Sequence, residues 1–360
     1  MDVRLSPEQQ ALRDSAARVV GELGPRTVAQ LDDAARAARL EAAVAAAGWR
    51  EVRTAGDDGA PCASAVEAAI VAEELGRGLA DAAFLGPTLA AELRRLAGAP
   101  TSTSIETVAL VPGLGALAAG RGGRLPEGAV AIDAAGSRSA LVLVRAGEGY
   151  HLAEVALRDA RVRVDLTRPS GALDSQVSVA TLGQRTRTLT GDDLERWTAL
   201  GLALSCADLV GAMRGAVELA REYATVRRQF GVAVGSFQAV QHMLADAFVA
   251  MEGSRSVALH AAWSVDALSP RDALAAAAIA KAYCARAARS VCEASMQVHG
   301  GIGNTWDCLA HVYLRRALLS SDVLGGAGAN LARVLEHHGI RTDARAPHGG
   351  DRDGGVHGLR

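Results

Sequence analysis

Arg227 and Arg228 stand side by side ahead of Gln238 and Gln241, in a run, "VRRQFGVAVGSFQAVQHMLADAF", that otherwise reads as a buried helix and its lead-in. A guanidinium holds a pair of phosphate oxygens with a bidentate fork that an ammonium lacks. Past the break at Gly235, Ser236 is expected to cap a helix whose Phe237, Val240, Leu244, Phe248 and Met251 recur at helical spacing as one buried stripe. Gln238 and Gln241 then project from its first turn, where unpaired N–H groups and the positive end of the helix dipole also point. An anion or a ribose suits that place; a solvated arginine pair before a routine helix cap suits the same residues.

A second run, "MQVHGGIGNTW" from Met296 to Trp306, closes a helix with Gln297 and His299 and breaks it with Gly300, Gly301 and Gly303. Glycine at positive φ is an ordinary helix stop. Two adjacent glycines also let a backbone approach a ligand with no side chain intervening. His299 can favour the helix dipole or hydrogen-bond a ligand.

The elements that position these runs are legible as texture. Residues 1–100 read as a helical domain: "SPEQQALRDSAARVVGEL" has a serine cap and a proline at the first helical position, and "SAVEAAIVAEELGRGLAD" repeats apolar residues at helical spacing. Residues 101–190 shift to short β-branched or leucine-rich runs such as "TVALVP", "GAVAID", "SALVLV" and "DARVRVDL", a small β domain. Residues 191–338 return to long helical patterns, a C-terminal bundle, and residues 339–360 are polar and glycine-rich, an expected disordered tail. The fold class is mainly α with a small β domain.

Of the 360 residues 49% are apolar but 3% aromatic, so alanine fills the apolar quota and close-packed helices are favoured. A net charge of −2 with scattered basic residues offers no general attraction to nucleic acid or an anionic membrane. The five cysteines show no C-x-x-C spacing, so reduced core residues are expected and no metal site. The N-terminal stretch lacks the apolar run of a signal peptide, and no segment reads as long and apolar enough to span a bilayer, so a cytoplasmic location is expected.

Taken together, the two runs resemble the acyl-CoA dehydrogenase family. Its pattern R-x-x-F-G, then F-Q-x-x-Q, then Q-x-x-G-G-x-G-x-T occurs as Arg227 to Gly231, Phe237 to Gln241 and Gln297 to Thr305. The resemblance is strong over 191–332, weaker over the N-terminal helices and poor through the middle. It implies a helical domain, a β domain and a four-helix bundle, with FAD as cofactor and an acyl-CoA thioester as substrate. It also implies an electron-transfer acceptor. By the same resemblance, Arg227 and Gln229 contact the pyrophosphate and neighbouring groups, Phe230 the adenine surroundings, and Gln297 with the Gly300–Gly301 backbone the ADP part of a flavin held mainly by a partner subunit. Gln238 and Gln241 complete the expected cofactor set.

The family's chemistry needs a carboxylate to remove the α-proton of the thioester while hydride passes from the β-carbon to the flavin. Counting along the usual family spacing from Gly301 lands on Leu324, and the alternative position counted back from Gly231 is Gly201. Neither can accept a proton. Asp208, two helical turns past Gly201 on roughly the same face, is the candidate for a displaced base. The family's flavin-facing strand motif, tryptophan followed by isoleucine and threonine or serine, is missing from the middle region.

These losses resemble the short, degenerate subunit of heteromeric bacterial enzymes, many acting on sterol-derived CoA thioesters, in which a longer subunit supplies the base. The expectation is a partner within an α₂β₂ assembly that completes its neighbour's FAD site. Two alternatives stay open: a homo-oligomeric flavoenzyme on a carrier-bound biosynthetic acyl intermediate, and a non-catalytic scaffold. Arg315 and Arg316 stand where the family commonly has Arg-Asp and are expected at a surface or interface.

Overall fold

The computed structural model describes residues 4–120, 124–173, 180–182 and 186–340. Most of the stretch expected to be a disordered tail, 341–360, lies outside the described residues.

Four helices come first: α1 (Pro7–Leu23), α2 (Ala34–Ala46), α3 (Ala65–Arg77) and α4 (Leu85–Ala97). Local chemistry starts three of them, with Asp33 capping α2 by accepting from Ala35 N and Arg36 N at 3.0 Å. Ser6 and Gln9 form a reciprocal capping box at α1, and Ser64 and Glu67 form another at α3. α4 has no side-chain cap of its own; instead Asp133, from the β region, accepts hydrogen bonds from Phe84 N at 2.8 Å and Gly86 N at 3.2 Å. That carboxylate joins the helical layer to the sheet.

The strands are β1 (Glu106–Leu110), β2 (Ala119–Gly120), β3 (Val130–Ala131), β4 (Ser139–Ala146), β5 (Gly149–Val162), β6 (Ser170–Leu173) and β7 (Ala180–Thr181). They pair in the order β2-β4-β1-β3-β6-β5-β7, and a further β4–β5 pairing closes β4, β1, β3, β6 and β5 into a small ring. The inside of so narrow a ring has room only for small side chains, and Ala109, Ala131, Ala140, Val142, Ala153 and Val155 are buried there.

The C-terminal part holds α5 (Gly191–Val226), α6 (Gln238–Ala267), α7 (Pro270–His299), α8 (Ala310–Asp322) and α9 (Ala327–His337), with a short hairpin of β8 (Arg228–Gln229) and β9 (Val232–Ala233) between α5 and α6. α5, α6, α7 and α8 pack as a bundle, and α9 lies on α7. α5 is the central element, touching α3, α4 and three helices of its own bundle. Gly211 permits this closeness, since a Cβ there would run into Glu73 O of α3. By length and composition α5 could cross a membrane, contrary to the sequence reading; with 94% of its most apolar window buried in the protein, it is a core helix.

Candidate functional site

The site begins where α5 stops. Arg227 N donates to Tyr223 O at 2.9 Å, and the chain then turns through a two-residue hairpin loop in which Phe230 (φ 54°) and Gly231 (φ 81°) both have positive φ. Such a turn matches the twist of the flanking strands and favours Asn or Gly. Phenylalanine there costs about 1 kcal/mol or more of backbone strain. No compensating burial offsets it, because Phe230 is 93% exposed, meeting only the edge of Phe237 at 6.3 Å.

α6 opens differently from the sequence expectation. Ser236 does not cap it: its hydroxyl donates to Ala233 O at 2.6 Å, and Phe237 takes the cap position without a side-chain bond. Gln238 and Gln241 are both exposed on the first turn, with Gln241 Nε2 donating to Gly235 O at 3.0 Å. The expected buried stripe is half open as well. Met251 is buried, but Phe237 is 38% and Phe248 52% exposed, because no element among the described residues covers that face.

The second segment follows α7. Gln297 is exposed, Gly300 has φ 63°, and a 3₁₀ turn runs from Gly300 to Asn304. A Cβ added to Gly300 or Gly301 would meet nothing within 4 Å, so packing among the described residues does not explain the pair. The rings of Tyr223 and His299 stack with centroids 4.6 Å apart, which places the end of α5 beside the end of α7. The structure thus brings the arginine hairpin and the glycine turn to one end of the bundle. Among the described residues, the guanidinium groups of Arg227 and Arg228 have no protein partner. Open guanidiniums, exposed glutamine amides, uncapped N–H groups at α6 and an unobstructed glycine backbone form a donor set suited to the phosphates and ribose of a dinucleotide. A flavin nucleotide fits that set.

The two positions counted for a base meet at one point, which their distance in sequence conceals. Gly201 lies on α5 and Leu324 just after α8, and a Cβ on Gly201 would overlap Leu324 Cδ1, with both Leu89 methyls near by. Leu324 is fully buried at φ 59°; its N–H donates to Leu114 O at 2.7 Å and its carbonyl accepts from Arg333 Nη1 at 2.7 Å. A leucine side chain fills the space that glycine vacates. Among the described residues, the atoms that crowd this point are the methyls of Leu324 and Leu89, not a carboxylate.

Asp208 is not a displaced base. One carboxylate oxygen accepts from Arg316 Nε at 3.0 Å and Nη2 at 2.7 Å; the other accepts from Ser320 Oγ at 2.6 Å and lies 3.1 Å from Arg168 Nη1. Burial alone would raise its pKa, but Arg168, Arg316 and these hydrogen bonds outweigh it and hold the carboxyl below the usual carboxylate range. A carboxylate so engaged has no lone pair free for a substrate proton. Arg316 is equally misplaced in the sequence reading: it is 3% exposed, and also donates to Ala80 O and Thr167 Oγ1, so it joins all three regions of the chain. An arginine where the family commonly has aspartate was the available signal that a buried acid must answer it. Lys281, the chain's single lysine, is fully buried beside this cluster, donating to Ser320 O.

Residues 199–337 match the model of the acyl-CoA dehydrogenase C-terminal domain. Acyl-CoA dehydrogenase FadE34 of Mycobacterium tuberculosis (strain ATCC 25618 / H37Rv) is 38% identical over 149 residues, 41% of this chain, and the chain spans only 21% of that relative's length. Acyl-CoA dehydrogenase IpdE2 of the same organism is 32% identical over 269 residues, covering 74% of this chain and 76% of IpdE2. Among solved structures, a steroid ACAD named for the pair Tcur3481-Tcur3483 superposes with a TM-score of 0.76 at 24% identity, over 92% of this chain and 98% of that one. Its likeness is one of fold. The mostly helical architecture with its small β region and helical C-terminal part is that of these relatives, and the chain belongs to the acyl-CoA dehydrogenase family.

Proposed function

We propose that this chain is the subunit of an FAD-dependent acyl-CoA dehydrogenase that completes the flavin site of a longer partner and contributes no base. The observation that carries the reading is the contrast between two places in one chain. The hairpin and glycine turn are exposed, strained at Phe230 and rich in unused donors, whereas the Gly201–Leu324 contact is sealed with hydrocarbon.

When bound, FAD supplies the acceptor for the hydride leaving the β-carbon of the acyl thioester. The chain's own residues bind and orient. Arg227 and Arg228 offer charge-assisted forks to phosphate oxygens, Gln229, Gln238, Gln241 and Gln297 offer amides to ribose and phosphate, and the Gly300–Gly301 backbone lets the nucleotide lie close. Phe230 presents an apolar face to the base or to the partner's surface. None of the three candidate positions offers the α-proton an acceptor, since Leu324 and Gly201 carry no titratable group and Asp208 is locked in ion pairs. A carboxylate from the longer subunit takes it. The two-gene name and the steroid label of the Tcur3481-Tcur3483 protein support a heteromer acting on a bulky, steroid-derived acyl-CoA.

The test is purification of the full chain alone and with a longer family member. The reading expects a colourless, inactive lone chain and a yellow complex that dehydrogenates acyl-CoA. A lone chain that keeps flavin and turns over would contradict it.

A further inference from the structure

We infer that the stacked rings of Tyr223 and His299 are a positioning pair that fixes the separation of the two nucleotide-gripping segments; the inference rests on the flavin role proposed above. Each ring belongs to the root of one segment. Tyr223 lies in the last turn of α5, and its carbonyl accepts the N–H of Arg227, the residue that opens the hairpin. His299 is the last residue of α7 and adjoins Gly300 directly. The rings face each other at 4.6 Å with planes 30° apart.

The orientation of the histidine is not free. Its Nδ1 is 2.7 Å from Ser295 O, and a carbonyl only accepts, so Nδ1 carries the proton and the ring is held edge-on to its own helix. Ser295 is itself anchored across the helix pair: its buried hydroxyl donates to Ala216 O of α5 at 2.8 Å. The glycine turn folds back over the same ring stem, since a Cβ on Gly303 would come 3.1 Å from His299 Cβ. His299 is 6% exposed, so it underlies the turn and does not project into the ligand surface.

A chain of contacts therefore runs from Ala216 through Ser295 and His299 to Tyr223, and from there to Arg227. Sliding the glycine turn relative to the hairpin requires the stacked rings to part. A nucleotide that must touch both segments at once gains affinity when their spacing is set beforehand, because binding then costs less ordering. Neither ring is a catalytic residue.

The experiment uses the flavin-loaded protein from the purification above and measures its FAD dissociation constant by flavin fluorescence. Tyr223→Leu should weaken FAD binding roughly five-fold, the size of one aromatic stack. Tyr223→Phe, which keeps the stack and removes the hydroxyl, should restore it. The visible spectrum of bound flavin should not move, which separates positioning from damage to the flavin site itself. His299→Leu reads the same contact independently if Tyr223→Leu does not fold. Should Arg227→Ala weaken binding while both ring variants leave it intact, the positioning pair is refuted and the flavin role stands. Should Arg227→Ala itself change nothing, the flavin role falls and the pair with it.

Discussion

Phe230 holds a backbone conformation that its side chain disfavours and a solvent exposure that its chemistry disfavours. Both tensions resolve if the ring is covered on assembly. Asn tolerates positive φ far better than Phe, so Phe230→Asn should stabilise the isolated chain by about 0.5–1 kcal/mol. Urea unfolding measures this, and the same variant should lower flavin retention in the assembled enzyme. A loss of stability on substitution would show that the ring is packed within this chain. Gly201 makes the opposite case, a residue with no room for even one methyl. Gly201→Ala should destabilise by about 1–3 kcal/mol through overpacking against Leu324. Shortening the partner with Leu324→Ala should return part of that loss, so the double-mutant cycle should show a favourable coupling near 1 kcal/mol. Additive losses would mean that the two residues do not share the space. The motif residues were legible in sequence because their spacing is local. The Gly201–Leu324 contact was not, since residues far apart in the chain meet only once α5 and the turn after α8 are packed.

At the scale of elements, a buried charge cluster joins the helices to the β region. Asp208 of α5, Arg316 and Ser320 of α8, Arg168 before β6 and Lys281 of α7 form it. Asp208→Asn leaves buried Arg316 without its counter-charge, while Arg168 keeps Asp165 at 2.9 Å, and should cost about 3–5 kcal/mol, read by chemical denaturation. Lys281 adds a pH signature. Burial pushes its pKa down to about 8, below the ordinary lysine value. Between the folded value near 8 and the unfolded value the unfolded chain binds the extra proton, so this group makes stability rise with pH across that window. The stability of wild type relative to Lys281→Met should therefore improve from pH 8 to pH 10. A flat difference would mean that the ammonium is solvated in the folded chain. Helix existence and the β texture could be read from periodicity, and the cap at Ser6 from the serine and proline that open the first helix. The role of Arg316 could not, because a charged residue looks the same in sequence whether it faces water or a buried aspartate. Ser236 misled for a related reason: a serine before a helix signals a cap, but the tight turn behind it took its hydroxyl first.

As a whole molecule, the chain has an inside that is complete and an outside that is not. α5 and its neighbours bury a continuous core, while Phe237 at the cap of α6, Phe248 and Val249 within it, and Ile279 and Tyr283 of α7 stay exposed. Periodicity alone marked the α6 residues as a buried stripe, since amphipathic spacing reports that a face is apolar and not which molecule covers it. The hairpin, the glycine turn and this apolar face all belong to the C-terminal helices, where a second subunit would bury them together. The central claim is a division of labour, with nucleotide contacts kept and proton removal given up. Its most direct test is anaerobic mixing of acyl-CoA with the FAD-loaded protein while flavin absorbance is followed. The account predicts bleaching in the complex with a longer subunit and none with this chain alone, even at saturating FAD. Bleaching of flavin by this chain alone would contradict it.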